Sequence, residues 1–269
     1  NEDQDISMEI EDRRVRDIGS VTVRNHGVGL GRIFIYKEKR QLSEVHNYAG
    51  TVISGMPIVK MAKGDSSISV VTEPLRLLTV GMTQKKASEF LDSRGVKQER
   101  VGDVDDDAIV VEQIPERTID ALKAGKVKTF AVKKDRIYRI SLDRKKSPLS
   151  VHYFEKVTGL SHKPIGSLKV FFMFDGMPMV QFEGDPSRAH TLYPDEPFKK
   201  CKRGDIGVTN QARPNAGLIG IRLEDSKEYG PTGEEGYGTN IFGRFEDDLD
   251  EFLKKTDDEE VIYVTEERL

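Results

Sequence analysis

The sequence has one cysteine and no tryptophan among its 269 residues. Cys201 cannot form a disulfide within the chain, and so low a cysteine content is typical of a reducing compartment. We therefore expect a cytoplasmic protein. Lys200 and Lys202 flank the cysteine and would favour its thiolate, but the expected state is a buried or idle thiol.

Long hydrophobic runs and an excess of one charge are also absent. No stretch approaches the roughly 20 apolar residues that span a bilayer, and no segment near the amino end joins a basic stretch to an apolar core. The 42 lysines and arginines are balanced by 46 aspartates and glutamates, which gives a net charge of −4. The composition predicts no membrane-spanning helix and no general nucleic-acid surface.

Ligand patterns for metals and nucleotides are missing as well. A single cysteine cannot hold an iron–sulfur cluster, and no Gly-Lys-Ser/Thr sequence follows a strand pattern. Asp103, Asp105 and Asp107 have the odd-position spacing of an EF-hand loop, but Ala108 and Ile114 stand where that loop needs glycine and glutamate. We expect a solvated acidic loop before a strand, and no cofactor.

The first half of the chain alternates strand and turn signals. Gly27, Gly29 and Gly31 lack the βαβ context of a phosphate-binding loop, so they predict a turn between two strands. Strands are predicted near residues 21–23, 31–36, 68–71, 127–132 and 137–142.

Two helices are predicted between these strands. The first has Thr83 as its cap, Ala87 and Leu91 on its apolar stripe and a stop at Gly95; a shorter helix runs from a cap at Thr118 to Gly125. Together these elements predict a smaller α+β module at residues 1–130.

The two ends of the chain are charge-dense. Residues 1–16 begin without methionine, which leaves open an artificial start, a partial chain or an ordered arm. The acidic tail at residues 257–269 contains the apolar sequence VIYV at residues 261–264. That short strand could join an edge of this fold or of a partner.

The order of motifs in the second half resembles the cyclophilin family. The elements follow one another as in cyclophilins: a strand, proline-marked turn and helix (residues 135–159), a strand pair (170–185), a hairpin around RPNAG (204–223) and a final strand and helix (240–252). The resemblance implies a mainly β, α+β fold with a cyclophilin-like β-barrel at residues 131–269. We expect residues 136–142 and 240–245 to be strands of one barrel.

The cyclophilin cleft is degenerate in this sequence. The resemblance places the catalytic arginine of the family at Phe174, two residues after Phe172, and puts Met173 where a histidine would stand. Gln181 matches a substrate-binding glutamine, and Thr239 lies near the family's histidine. Gly217, Leu218 and Ile219 replace the family's second glutamine and its aromatic neighbours. Because one lost polar donor typically costs roughly 100- to 1000-fold in rate, these changes predict no efficient isomerase.

Four longer motifs resemble the methanogenesis marker protein 3 family of methanogenic archaea: GMTQKKASEFLDSRGV, DDDAIVVEQIPERT, IGVTNQAR and EYGPTGEEGYGTNIFGR. The resemblance implies association with methyl-coenzyme M reductase and with the ATP-dependent complex that reductively activates its nickel cofactor. We therefore expect a non-catalytic assembly or activation subunit. A divergent prolyl isomerase and a small-ligand-binding cyclophilin-like protein are the alternatives.

The glycine-rich stretch at residues 230–240 is the candidate partner-binding loop. Its glycines permit close backbone approach, and its glutamates and tyrosine offer polar and aromatic contacts. A long barrel loop with ordinary turn chemistry is the alternative. The candidate residues are Gly230, Pro231, Gly233, Glu234, Glu235, Tyr237 and Asn240.

Overall fold

The computed structural model describes residues 16–41, 43–194 and 200–266. The chain divides into two compact units, one ending at Thr72 and one beginning at Glu73. The division at residue 130, between segments 1–130 and 131–269, stays a prediction. The predicted arm at residues 1–16 lies outside the described residues except for Arg16.

The described part of the first unit contains a three-stranded antiparallel sheet. Its strands are β1 (Ser20–Arg24), β2 (Ile33–Ile35) and β3 (His46–Thr51), in the order β2-β1-β3, and helix α1 (Met56–Met61) follows. The turn between β1 and β2 carries the three glycines, all with positive φ, as the hairpin prediction requires. The predicted strand at residues 68–71 is wrong, because these residues are in no strand and their side chains at Val70 and Val71 are exposed.

The second unit begins with an α/β part. Its elements in chain order are helix α2 (Gln84–Asp92), strands β4 (Lys97–Gly102) and β5 (Ile109–Ile114), helix α3 (Thr118–Ala124) and strand β6 (Lys126–Val132). The three strands form a sheet in the order β4-β6-β5. β4 is parallel to β6, and β5 is antiparallel to it.

Both helices of this part follow their sequence signals closely. The Thr83 hydroxyl accepts a hydrogen bond from the Lys86 N–H at 3.2 Å, so Thr83 is the predicted cap of α2. Helix α3 ends at Gly125 with φ 64°, as predicted. Its cap is Arg117 instead of Thr118, because the Thr118 hydroxyl accepts a hydrogen bond from the Leu77 N–H at 3.0 Å.

Seven strands of the described chain close into a barrel in the carboxyl-terminal half. They are β7 (Ile137–Leu142), β8 (Gly166–Phe172), β9 (Met179–Phe182), β10 (Asp205–Thr209), β11 (Ile219–Arg222), β12 (Thr239–Phe245) and β13 (Val261–Thr265). Their order is β10-β11-β9-β8-β13-β7-β12. Helices α4 (Pro148–Thr158) and α5 (Leu249–Lys255) accompany them, with short 3-10 turns at Lys134–Arg136, Pro186–Thr191 and Gly236–Gly238. The prediction of a mainly β fold with a barrel is confirmed.

β7 and β12 pair antiparallel, with Gly243 opposite Leu142, so the prediction that they belong to one barrel is also confirmed. The barrel encloses a core of aliphatic and aromatic side chains that includes Phe154 of α4 and Phe252 of α5, both fully buried. Burial of such a core is the main favourable term in folding.

The VIYV sequence makes up the first four residues of β13, which lies between two other strands of the barrel. It pairs parallel with β7 on one side and antiparallel with β8 on the other. Because both edges of β13 are hydrogen-bonded, the strand cannot extend the sheet of a partner. Of the two expectations for residues 261–264, joining this fold is confirmed, although as an interior strand of the barrel, and adding an edge strand to a partner is wrong.

Candidate functional site

Four residues line up across the barrel strands, and two of them are glycines. The Cα atoms of Gly207, Gly220, Gln181 and Phe172 are successive partners across β10, β11, β9 and β8. Their neighbours along the strands belong to the barrel core: Val180, Phe182, Ile206, Val208, Ile219 and Ile221. Because side chains alternate along a strand, Gly207, Gly220 and Gln181 lie on the outer face of the barrel. Phe172 follows a register shift in β8 and is exposed. We call Gly207, Gly220 and Gln181 the glycine row.

Residues 230–233, here called the GPTG turn, lie across the glycine row. A Cβ atom at Gly220 would lie 2.7 Å from the carbonyl carbon of Pro231 and 3.0 Å from the Cα of Thr232. A Cβ atom at Gly207 would lie 3.0 Å from the Cγ of Pro231. Neither glycine is among the residues with positive φ. Close approach of another segment, and not backbone conformation, is therefore what requires glycine here.

The GPTG turn is the tip of a short hairpin. The Gly233 N–H donates to the Gly230 carbonyl at 3.0 Å, and the Gly230 N–H donates to the Glu234 carbonyl at 2.8 Å. Tyr229 and Glu235 form an antiparallel bridge at its base. Proline after the first residue of the turn and glycine with positive φ at its end suit this conformation, so the sequence itself preforms the turn.

Side chains of the barrel hold the turn through its polar groups. Gln181 Nε2 donates to the carbonyl oxygen of Thr232 at 2.8 Å. The hydroxyls of Thr232 and Thr239 are 2.9 Å apart, and both residues are buried. Gln181 and Thr239 therefore both contact Thr232 of the GPTG turn. The sequence had assigned both residues to a degenerate cleft.

Arg213, in the RPNAG connection between β10 and β11, joins that connection to the loop. Its Nε lies 3.3 Å from a carboxylate oxygen of Glu234, and its second terminal nitrogen lies 2.8 Å from one of Glu235. Asn210 adds two hydrogen bonds of 2.9 Å, to the Tyr237 carbonyl and to the side chain of Asn240. The RPNAG stretch is thus a hairpin connection that fastens the neighbouring loop.

The remaining cleft residues present apolar surface. Phe172 and Phe174 are exposed and their rings meet edge to face at 5.2 Å. No basic side chain stands at residues 172–174. Leu218 is half-buried, and its carbonyl accepts from the Thr209 N–H at 2.8 Å. Gln181 therefore keeps its amide donor, whereas Phe174 stands where the cyclophilin resemblance places the catalytic arginine.

The seven candidate loop residues differ in accessibility. Gly230, Pro231 and Asn240 are buried. Glu234 is half-buried, whereas Glu235 and Tyr237 are exposed. The partner-binding role of the loop stays a prediction, and its accessible part is the exposed pair.

Sequence reasoning missed Gly207, Gly220, Thr232 and Arg213. A signal for the glycines was present, because each interrupts an alternating strand at an outward position, which often marks close approach of another backbone. Nothing in the local sequence indicates that residues 230–233 are the segment that approaches.

Cys201 lies apart from this face. Its side chain is 1% exposed, and burial raises the pKa of its thiol to about 12. The expectation of a buried thiol is confirmed, and the flanking lysines do not activate it.

Three other features of the described residues concern the acidic loop, metal ligands and membrane-spanning helices. In the acidic loop the Asp103 carboxylate accepts from the Asp105 N–H at 3.1 Å, and β5 follows as predicted. No group of three or more histidine, cysteine, aspartate or glutamate side chains there could hold a metal ion. None of the described helices combines the length and the apolar character that crossing a bilayer demands.

A family profile described as "Putative peptidyl-prolyl cis-trans isomerase domain" matches residues 138–267. The match begins in β7 and covers all the later strands of the barrel. A solved cyclophilin-type peptidyl-prolyl cis-trans isomerase from Cryptosporidium parvum, determined with the dipeptide Ala-Pro, is 15% identical. It covers 48% of this chain and 92% of its own, with a TM-score of 0.31.

Relatives of this chain are found in methanogenic archaea. A UPF0288 protein of Methanothermobacter thermautotrophicus is 45% identical over 98% of this chain, and one of Methanopyrus kandleri is 40% identical over 94%. A third, from Methanosarcina barkeri, is 35% identical over 97%. The chain spans about half the length of these relatives, with 51%, 50% and 50% of each covered. The chain is thus similar over nearly its whole length to part of the UPF0288 proteins of methanogens.

Proposed function

We propose that this chain belongs to a non-catalytic assembly or activation subunit that associates with methyl-coenzyme M reductase and its ATP-dependent reductive activation complex. The observation that carries the non-catalytic part is the seating of the GPTG turn on the glycine row. Its own Pro231 and Thr232 lie where a peptide would have to lie to meet Gln181. A preorganised donor can accelerate a reaction only if substrate reaches it.

The partner assignment rests on different support. The relatives named above are proteins of methanogens, and the four long motifs resemble methanogenesis marker protein 3. Both point to a process that methanogens share. The proposed location is the cytoplasm, where the reductase would be met.

The proposed contact surface is the accessible part of the 230–240 loop. Tyr237 is 64% exposed, and aromatic side chains are enriched at protein interfaces. Arg213 holds the loop in one conformation through Glu234 and Glu235. A preordered loop loses less conformational entropy when a partner binds.

Anaerobic affinity purification from the native archaeon tests this function. The full-length protein should recover the reductase or its activation components, and a Glu235→Ala/Tyr237→Ala variant should recover less. Ile119→Ala, which removes an exposed apolar side chain from α3, is the matched control. Recovery of neither partner by the unaltered protein would overturn the function; equal recovery by the loop variant would overturn only the choice of surface.

A divergent prolyl isomerase is the second candidate. The family profile and the retained Gln181 amide favour it. The two candidates differ in whether proline-containing peptides turn over, and that difference is measurable on the chain itself.

A further inference from the structure

The first unit, which ends at Thr72, has a mostly polar interior. Among its described residues, Val59 is the one large apolar side chain that is buried, whereas Thr22 and Asn25 are both buried. Burial of apolar surface is the main favourable term in folding, and small units have little of it to spare. Large apolar side chains that this unit leaves exposed include Ile33, Ile53, Ile58 and Met61.

One face of the three-stranded sheet in this unit is aliphatic. Val21 lies opposite Ile35, and Val23 lies opposite Ile33, in the antiparallel pair of β1 and β2. Residues that lie opposite each other share a face, and successive residues alternate between the two faces. The four side chains therefore lie on one side of the sheet, and we call these four residues the aliphatic face.

The aliphatic face is the open side of the sheet. Ile33 is 68% exposed, and the other three residues are half-buried. Gly50 of β3 is the Cα partner of Val21, and a Cβ atom at Gly50 would meet nothing within 4 Å. Thr22, on the opposite side of β1, is fully buried. The sheet thus covers a polar side and leaves its aliphatic side open, which reverses the usual arrangement of an antiparallel sheet.

The length of the relatives indicates what covers this face. The 266 residues aligned with the Methanothermobacter protein are 51% of that protein, and the 257 aligned with the Methanopyrus protein are 50% of it. Each relative therefore has a further half of about equal length. A segment joined through the same polypeptide can meet such a face at an effective concentration on the order of millimolar.

We propose that the aliphatic face is the docking surface for the half of the full-length protein that this chain does not span. The docked surface is apolar, because the four side chains of the aliphatic face offer neither a charge nor a hydrogen-bonding group. All four are β-branched, and such side chains suit a sheet face that is packed against another surface. The inference concerns how two halves of one protein pack, so its failure leaves the proposed function as it stands.

Cysteine labelling of the full-length protein tests the proposal. Ile33→Cys places a thiol on the aliphatic face, and Gly50→Cys is a second reporter beside it, where there is room for a side chain. The matched control is Val28→Cys in the turn between β1 and β2, where the side chain is 91% exposed. Alkylation by iodoacetamide is followed by mass spectrometry of each peptide, and each rate is divided by the rate of the same peptide in urea. The same variants of the 269-residue chain, and a dilution series of the full-length protein, complete the set.

In the full-length protein, the thiols at residues 33 and 50 should react at least about tenfold more slowly than the thiol at residue 28, because covered thiols react only when the two halves separate. This difference should disappear in the 269-residue chain. Equal rates at the three positions of the full-length protein would overturn the proposal. Slow labelling of residues 33 and 50 in the 269-residue chain would also overturn it, since another part of this chain would then cover the face. Protection that is lost on dilution would overturn it in favour of a second copy of the protein.

Discussion

Gly207 and Gly220 are Cα partners in neighbouring strands, and the outer face of the barrel depends on their lacking side chains. With any Cβ at Gly220, the carbonyl group of Pro231 could not stay where it is. Adding one methyl group at Gly220 would therefore displace the GPTG turn, because the backbone of that turn packs directly on the backbone of β11.

Gly220→Ala should destabilise the second unit by about 1–3 kcal/mol, through overpacking or displacement of the GPTG turn. The matched control is Gly50→Ala in β3, where a Cβ would meet nothing within 4 Å and the expected change is within about 0.5 kcal/mol. Calorimetric unfolding of both variants makes the comparison. A Gly220→Ala protein as stable as the unaltered chain, with unchanged hydrogen exchange at the Gly233 amide, would contradict the close packing.

Cys201 should resist alkylation in the folded protein. The thiolate is the form that reacts with the reagent. With a thiol pKa of about 12, about one Cys201 side chain in ten thousand is a thiolate at pH 8. Labelling by iodoacetamide at pH 8 should be slow in the native chain and fast after unfolding in urea. Rapid labelling of the native chain would show an accessible, activated thiol instead.

At the scale of elements, local signals predicted those elements that local chemistry determines. The cap of α2 at Thr83, the glycine end of α3 and the β10–β11 hairpin all follow from residues within a few positions. β13 depends on pairing with β7, far earlier in the chain. Such pairing leaves no short-range pattern, so the sequence could not show that VIYV closes the barrel.

The false strand at residues 68–71 has the opposite cause. Ile68, Val70 and Val71 satisfy the propensity for a strand, yet each is exposed. β-propensity mainly expresses how side chains pack on a partly buried sheet, and here no neighbouring strand of the described chain supplies that surface. The candidate site shows the same limit: Gln181 and Thr239 were predicted from motif order, whereas the segment that covers them is determined by tertiary packing.

β13 should be as important for stability as any central strand. Val264 is fully buried, and its replacement by alanine should cost about 2 kcal/mol. Val261 lies in the same strand and is 39% exposed, so Val261→Ala is the matched control with a small expected effect. Chemical unfolding of the two variants tests this. Equal, small losses would contradict the placement of β13 inside the barrel.

At the scale of the whole molecule, the chain combines a filled barrel face with an exposed, fastened loop. The 42 basic and 46 acidic residues nearly balance, so the proposed recognition of a partner would depend on local contacts such as those of Tyr237 and Glu235. The chain spans about half the length of its relatives. Partner binding should therefore be measured on the full-length protein.

We expect that this barrel does not catalyse prolyl isomerisation. The uncatalysed reaction crosses a barrier near 18–20 kcal/mol and takes tens to hundreds of seconds, so even modest catalysis is visible. In a protease-coupled assay with a proline tetrapeptide, we expect the uncatalysed rate for both the unaltered chain and Gln181→Ala. A rate well above background that disappears in Gln181→Ala would contradict it.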